Sequence, residues 1–259
     1  FSVVMDGDTI NVWESKSLRD AWINHVKNTM VCEDRLFDYI SGREVAQIAK
    51  QHPKNINSLT ANAKLLSCND FSGFTFRGRF VEQDDAVIVD YIQSQKMHQM
   101  LRWLIANYGY AIDSQVVVAW GVDRDTEVKV KAQDATIDLF KSLKKIKTDT
   151  EILAEISALV YSEFAKNLKK LLQGYGSAHA IKQHSRKICI AVFDAATEGR
   201  MGLVFYQELL EDDYLEQIYK WHLDTSYFMT GWKREKDDNG RERNIPISYI
   251  GAPSYDDII

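Results

Sequence analysis

Cysteine is scarce in this sequence: only Cys32, Cys68 and Cys189, far apart, among 259 residues. Three thiols so spaced build neither a disulfide framework nor a zinc knuckle, and they read as reduced, mostly buried side chains. Long apolar runs are missing too. Nothing approaches the roughly 18 uninterrupted apolar residues of a membrane span, and no charged-then-apolar leader with a cleavage site opens the chain. The expectation is a soluble, cytoplasmic protein with no membrane partner. Nor is there an excess of positive charge: 32 Lys and Arg against 37 Asp and Glu leave a formal net charge of -5. That speaks against a domain that coats nucleic acid with its entire surface. Internal repeats and low-complexity linkers are also lacking.

What is present is a chain 45% hydrophobic, able to bury a real core, so a disordered or fibrous protein is excluded. Its charge is unevenly placed. From Lys129 to Lys187 there are twelve Lys and Arg against six Asp and Glu, and from Phe205 to the end six against twelve. Such blocks suit one face on phosphates and another on a basic protein, but solvated helix faces produce them as well, and that plainer reading leads. The chain opens on Phe1 inside an apolar run and closes on Ile258 and Ile259, so both ends look cut from something longer. The expectation is an internal fragment, 1–259, of a larger subunit. It is mostly one α+β domain, with a basic, largely helical segment at 129–185 within it.

Spacing sets the elements. FSVVMDGDTINVW carries two apolar runs about Asp6-Gly7-Asp8 and predicts a hairpin. Ser15 to Met30 predicts a helix whose Leu18, Ala21, Trp22 and Val26 line one face. Leu36 to Phe80 is loop-rich, punctuated by Gly42, Pro53, Asn55 and Asn57. Between Asp84 and Tyr108, Met97, Met100, Leu101, Leu104 and Tyr108 follow the repeat of an amphipathic helix. SQVVVAWGV, Ser114 to Val122, reads as a central strand. A helical stretch follows, broken near Lys147 to Asp149, then running from Glu151 to about Gln173 and stopping at Gly174-Tyr175-Gly176. Lys187 to Leu210 predicts a hairpin turning at Thr197-Glu198-Gly199. Asp212 to His222 predicts a helix with Leu215, Ile218 and Tyr219 inward, and the polar run Lys233 to Asn244 a mobile surface loop. The class is α+β: mixed or antiparallel sheet segments with hairpins packed against several amphipathic helices.

Catalytic constellations are hard to assemble. His179 and His184 lie five apart, a spacing that fits no zinc pattern. Gly174-Tyr175-Gly176 lacks the third glycine of a phosphate loop and follows a helix rather than a strand. Ser177, His184 and Ser185 have no identifiable orienting acid. Asp123, Asp125 and Glu127 alternate and could hold magnesium on oxygen ligands, although an acidic loop after a strand is common. No enzyme, cofactor or metal is expected, and a magnesium-dependent nuclease on that acidic loop is the competing reading.

GFTFRGRF, Gly73 to Phe80, is the most informative segment. Strand alternation puts Phe74, Phe76, Gly78 and Phe80 on one face and Thr75, Arg77 and Arg79 on the other. Two guanidinium groups side by side carry a like-charge cost that a phosphate relieves. Pairing with Glu82, Asp84 or Asp85 just downstream would relieve it too. Upstream lie Lys64 and Asn69; downstream, Gln95, Gln99 and Arg102 form a polar helix stripe with Lys96 beside it.

At these residues a resemblance enters. HPKNI, AKLLSCND, GFTFRGRF and YIQSQKMHQMLRWLIANYGY, followed by VVVAWGVD, resemble in order the central motif block of the large-subunit family of subtype I-C CRISPR Cascade. FDAATEGRMGLVFYQELLEDDYLEQIYKWH and YIGAP are similar to its second block, so the match runs from about Val12 to Pro253. The side chains expected around Cys68, Phe76 and Met97 are replaced, and Val87 to Asp90 differs. The resemblance implies a complex in which guide RNA reads sequence by pairing while protein reads a short protospacer-adjacent motif and handles backbone. The large subunit would help open the duplex and position the helicase-nuclease effector, with no catalytic site of its own. Its partners would be target double-stranded DNA, the CRISPR RNA-containing Cascade subunits and that effector. Arg77, Arg79, Lys96 and Arg102 are expected on phosphates, Lys64 among the contacts, and Asn69 and Gln95 at base edges or a groove. A purely scaffolding subunit, its arginines paired internally, is the other alternative.

Overall fold

The computed structural model describes residues 11, 14–29, 31–49, 51–57, 60–67, 80, 84–122, 128–144, 148–180, 186–236 and 241–258. The chain falls into two compact units. The first takes 1–107, 112–116 and 193–203; the second takes 108–111, 117–192 and 204–259. The expected hairpin at 1–13 lies outside the described residues except for Asn11 and so cannot be placed.

In the first unit, α1 (Lys16–Thr29) forms where the spacing predicts. Its apolar face is not buried, however. No residue of α1 is buried, and Trp22 is 66% exposed. β1 (Val31–Phe37) and β2 (Glu44–Gln47) pair antiparallel around a turn organised by one carboxylate. Buried Asp38 accepts hydrogen bonds from the backbone N–H of Ser41 at 2.8 Å and of Asp90 at 3.1 Å. Burial pushes the Asp38 carboxyl upward, but these donors outweigh it and hold the group below the usual carboxylate range. Asp90 in turn caps α2 (Tyr91–Tyr108), its carboxylate accepting from the N–H of Gln93 at 2.9 Å. One acidic pair thus ties the hairpin turn to the start of the longer helix.

Of the expected Met/Leu stripe of α2, Leu101 is buried and Met97, Leu104 and Tyr108 are half-buried, whereas Met100 is 57% exposed; Ser94 and His98 are buried as well. The buried face extends to Ser94 and His98 because two histidines and a serine satisfy one another inside, as described below.

A four-stranded sheet has the order β3 (Tyr110–Ile112), β4 (Gln115–Gly121), β5 (Lys187–Thr197), β6 (Arg200–Leu210), and its strands contribute residues to both units. SQVVVAWGV is a central strand, as its apolar run predicts. Ala195 N–H donates to Ser114 O and Val122 N–H to Lys187 O, so β4 and β5 run antiparallel. The β5–β6 turn falls at Glu198 and Gly199, as expected.

The second unit holds a continuous apolar core. α3 (Thr136–Lys144), α4 (Asp149–Ile156), α5 (Tyr161–Ala180) and α6 (Glu211–Asp224) surround Leu139, Phe140, Ile152, Phe164, Leu168 and Tyr214, all essentially excluded from water. Phe140 and Phe164 stack with ring centroids 6.3 Å apart. Tyr214 donates its buried hydroxyl proton to Val130 O at 2.8 Å. Cys189 is a buried free thiol; the Cys68 expectation lies outside the described residues.

Two expectations fail here. α5 does not stop at Gly174-Tyr175-Gly176 but runs through it to Ala180. Gly176 serves packing: a Cβ there would stand 3.3 Å from Leu215 Cδ1 of α6, so the missing side chain permits close approach. The polar run 233–244 is not a loop either. β7 (Tyr227–Lys236) and β8 (Glu242–Gly251) extend through it as an antiparallel hairpin, only 237–240 lying outside the described residues. Across the ladder Glu235 lies opposite Arg243, an opposite-charge pairing of the kind that stabilises strands composition alone would call disordered. At its other end, Gly231 lets β7 press on α4, since a Cβ there would stand 2.6 Å from Leu153.

Candidate nucleic-acid interface

In the first unit, the described residues 51–57 and 60–67 form a compact loop rather than a wandering one. His52, Ile56, Asn57 and Ala63 are buried, and Asn55 takes the left-handed conformation, φ 61°, that asparagine tolerates. Lys54 and Lys64 meet in an antiparallel bridge. Lys64 bridges Arg200 in parallel, with its N–H donating to Gly199 O at 3.2 Å and its carbonyl accepting from Met201 N–H at 3.0 Å. Bridged residues project to the same side of a ladder, and neighbouring backbones lie about 4.8 Å apart. Lys54, Lys64 and Arg200 therefore stand in a row across three backbone segments.

Helix α2 fixes this loop through Ser94, His98 and Arg102. His52 Nδ1 lies 2.9 Å from Ser94 Oγ, and His98 Nδ1–H donates to the Ser94 carbonyl at 2.7 Å. That donation sets the His98 tautomer and leaves its buried Nε2 as an acceptor with no hydrogen-bond partner among the described residues. The two imidazoles stack with centroids 5.9 Å apart. Burial lowers the His52 pKa to about 4, with His98 and then Lys64 pushing the same way. Burial also lowers His98, against the raising effect of its bond to Ser94, and Arg102 adds to the lowering. Both rings are neutral at pH 7. Arg102 Nη2 donates to Lys54 O at 2.8 Å, so a fourth cation closes the cluster by holding the Lys54 backbone. Among the described residues, no carboxylate pairs with Lys54, Lys64 or Arg102.

The sequence profile of the CRISPR-associated protein (Cas_Csd1) family matches residues 1–257. The chain belongs to that family. No individual curated protein gives a significant match.

In this family member the expected site residues separate into three groups. Lys64 and Arg102 come together through Lys54. Gln95 is half-buried on α2, and Lys96 is exposed about 200° round the helix axis from buried Ser94, so neither joins the row. Asn69, Arg77 and Arg79 lie outside the described residues, as do Asp123, Asp125, Glu127, His184 and Ser185. Sequence reasoning missed Lys54 and Arg200. Lys54 sits in HPKNI and Arg200 at a hairpin turn, and only the long-range bridges to Lys64 bring them together.

Among the described residues, no three His, Cys, Asp or Glu side chains cluster as a metal site. No helix of the described residues is long and apolar enough to cross a membrane.

Proposed function

We propose that this chain is the target-DNA-binding part of a non-enzymatic large subunit of a subtype I-C Cascade complex. It acts in the cytoplasm with the CRISPR RNA-containing subunits and the helicase-nuclease effector. Family membership supports the CRISPR context, and the resemblance of its motif blocks supports the subunit assignment. The observation that carries DNA binding is the bridged pair Lys54 and Lys64, with Arg200 beside Lys64 on the next segment. Like charges opposite one another in a ladder cost a few tenths to about 1 kcal/mol per pair, and a run of phosphates turns that cost into attraction. Arg102 is a positioning residue, since its guanidinium is engaged with the Lys54 carbonyl.

The test is duplex binding against salt, using target duplex bearing a protospacer-adjacent motif and the chain assembled in its complex. Lys54→Ala with Lys64→Ala removes two phosphate contacts and flattens the slope of log K against log salt by about 2, with affinity lost uniformly across sequences. An unchanged slope in a folded double variant overturns the assignment and favours scaffolding. The non-enzymatic part is tested by incubating target DNA with and without magnesium. Cleavage that disappears in Asp123→Asn, Asp125→Asn would overturn it in favour of the nuclease.

A further inference from the structure

One face of α5 lines a cleft in the second unit. Asn167, Lys170, Leu171, Gly174 and Tyr175 recur at the three- and four-residue spacing of a single helical stripe. Beside that stripe, Phe164, Leu168 and Leu172 enter the core. Lys144 of α3, Glu155 of α4 and Lys129 close the other side, around a volume of about 630 Å³.

We infer that this cleft holds a small phosphorylated organic molecule, its phosphate on the lysines and its organic part against Leu171, Gly174 and Tyr175. Charge chooses an anion. Lys129, Lys144 and Lys170 line the cleft against one carboxylate, Glu155. Glu155 is already committed to the Lys144 ammonium, which also stands 5.3 Å from the Phe140 ring centroid. That pairing joins α3 to α4 and holds Lys144 in place. Three lysines against one glutamate leave a formal excess of two positive charges, which a phosphate monoester, close to a dianion at pH 7, balances. Among the described residues Lys170 has no ion-pair partner of its own. Size chooses a small molecule, because the volume falls within the range of about 300 to 1,000 Å³ typical of such sites. Gly174 is the third observation. Glycine inside a helix weakens it relative to alanine, so its presence needs a reason. At Gly176 the reason is Leu215, whose Cδ1 stands 3.3 Å from where a Cβ would be, whereas at Gly174 no neighbouring side chain comes within 4 Å of that point. The space over Gly174 is open cleft, and the missing side chain lets a ligand approach the α5 backbone there. The cleft lies wholly within the second unit, so this reading is independent of Lys54 and Lys64.

Isothermal titration of the assembled chain with ribose 5-phosphate, adenosine 5′-monophosphate, inorganic phosphate and a DNA duplex tests it. Both monoesters should bind about tenfold or more tightly than inorganic phosphate. Lys170→Ala should weaken them about tenfold, the loss of one charged hydrogen bond. Gly174→Ala separates a ligand site from a structural role. It should raise the thermal midpoint of the ligand-free chain, since alanine is the better helix former and meets open space, and yet weaken both monoesters. Failure of the monoesters to bind, or unchanged affinity in both variants, overturns the site. Inorganic phosphate binding as tightly as the monoesters overturns it too, because the organic part then contributes nothing. If Lys170→Ala weakens only the duplex, the lysines belong to a nucleic-acid surface and the proposal falls. It falls equally if the folded Lys170→Ala chain no longer assembles, which would identify the cleft as the seat of an acidic side chain from a partner subunit.

Discussion

Replacing His222 by Asn should make the protein's stability less sensitive to acid, and the size of the effect follows from three atoms. His222 Nδ1 lies 2.9 Å from Thr136 Oγ1, which also accepts from Ala252 N–H at 2.8 Å. Among the described residues Nδ1 is the one acceptor bonded to the Thr136 hydroxyl, so it takes that proton, and the ring's own proton sits on Nε2, buried and without a hydrogen-bond partner among the described residues. A second proton at Nδ1 would face that hydroxyl proton and place a cation in a site only 1% exposed. Burial accordingly lowers the His222 pKa to about 4 from an ordinary 6.5. Between those values the unfolded chain binds a proton that the folded chain does not. Stability is therefore complete above pH 6.5 and falls as pH drops toward 4. At about 1.4 kcal/mol per pH unit, this one residue withdraws about 2 kcal/mol between pH 6.5 and 5, and about 3 by pH 4. Asn retains an acceptor for the Thr136 hydroxyl but has no titration. The variant is less stable at pH 7.5, because a smaller side chain leaves space in the core. Urea unfolding at pH 7.5 and pH 5 should show the gap between parent and variant narrowing by about 2 kcal/mol. A constant gap would falsify the assignment of a neutral, buried imidazole.

Other perturbations test the packing. Phe164→Ala removes half of the stacked pair at the centre of the second unit, and chemical denaturation should register a loss of about 3 to 5 kcal/mol. Gly231→Val drives a branched side chain into fully buried Leu153, and should cost about 1 to 3 kcal/mol or separate β7 from α4, seen as faster amide exchange across the hairpin. Arg102→Ala removes a charged donor from the Lys54 carbonyl and should lower stability by about 1 to 2 kcal/mol, while Arg102→Lys, which cannot reproduce the planar fork, recovers only part of it.

Local pattern carried the elements whose decisive forces are local. The run SQVVVAWGV announces a central strand, and Thr197-Glu198-Gly199 announces a hairpin, because an apolar run and a turn residue act within a few positions. Two expectations failed, and the buried face of α2 widened, because a distant partner decided each. Ser94 and His98 are inside because His52 meets them across 42 positions or more, which widens the buried face of α2 beyond Leu101 and the half-buried Met97, Leu104 and Tyr108. Gly176 reads as a helix stop until Leu215 is seen against it. Lys233 to Lys236 read as loop until Glu242 and Arg243 are placed opposite, since cross-strand pairing is invisible in composition. The candidate site follows the same rule. Lys64 and Arg102 were legible from sequence, whereas Lys54 and Arg200 belong to it only through bridges between remote segments.

The cation row and the buried histidines are coupled, and the coupling offers a test that does not pass through affinity. Three contributions lower His52: burial first, then His98, then Lys64. A phosphate on Lys64 removes the third and leaves the other two, so DNA should raise the His52 pKa from about 4 while keeping it below 6.5. Burial alone lowers His222, so the same DNA should leave it in place. Following both imidazole resonances by NMR through a pH titration, with and without duplex, separates a local phosphate contact from a general stabilisation of the fold. An upward shift confined to His52, abolished by Lys64→Ala, places the backbone at the row. Equal shifts in both rings, or none in either, would show that the duplex does not sit against Lys64.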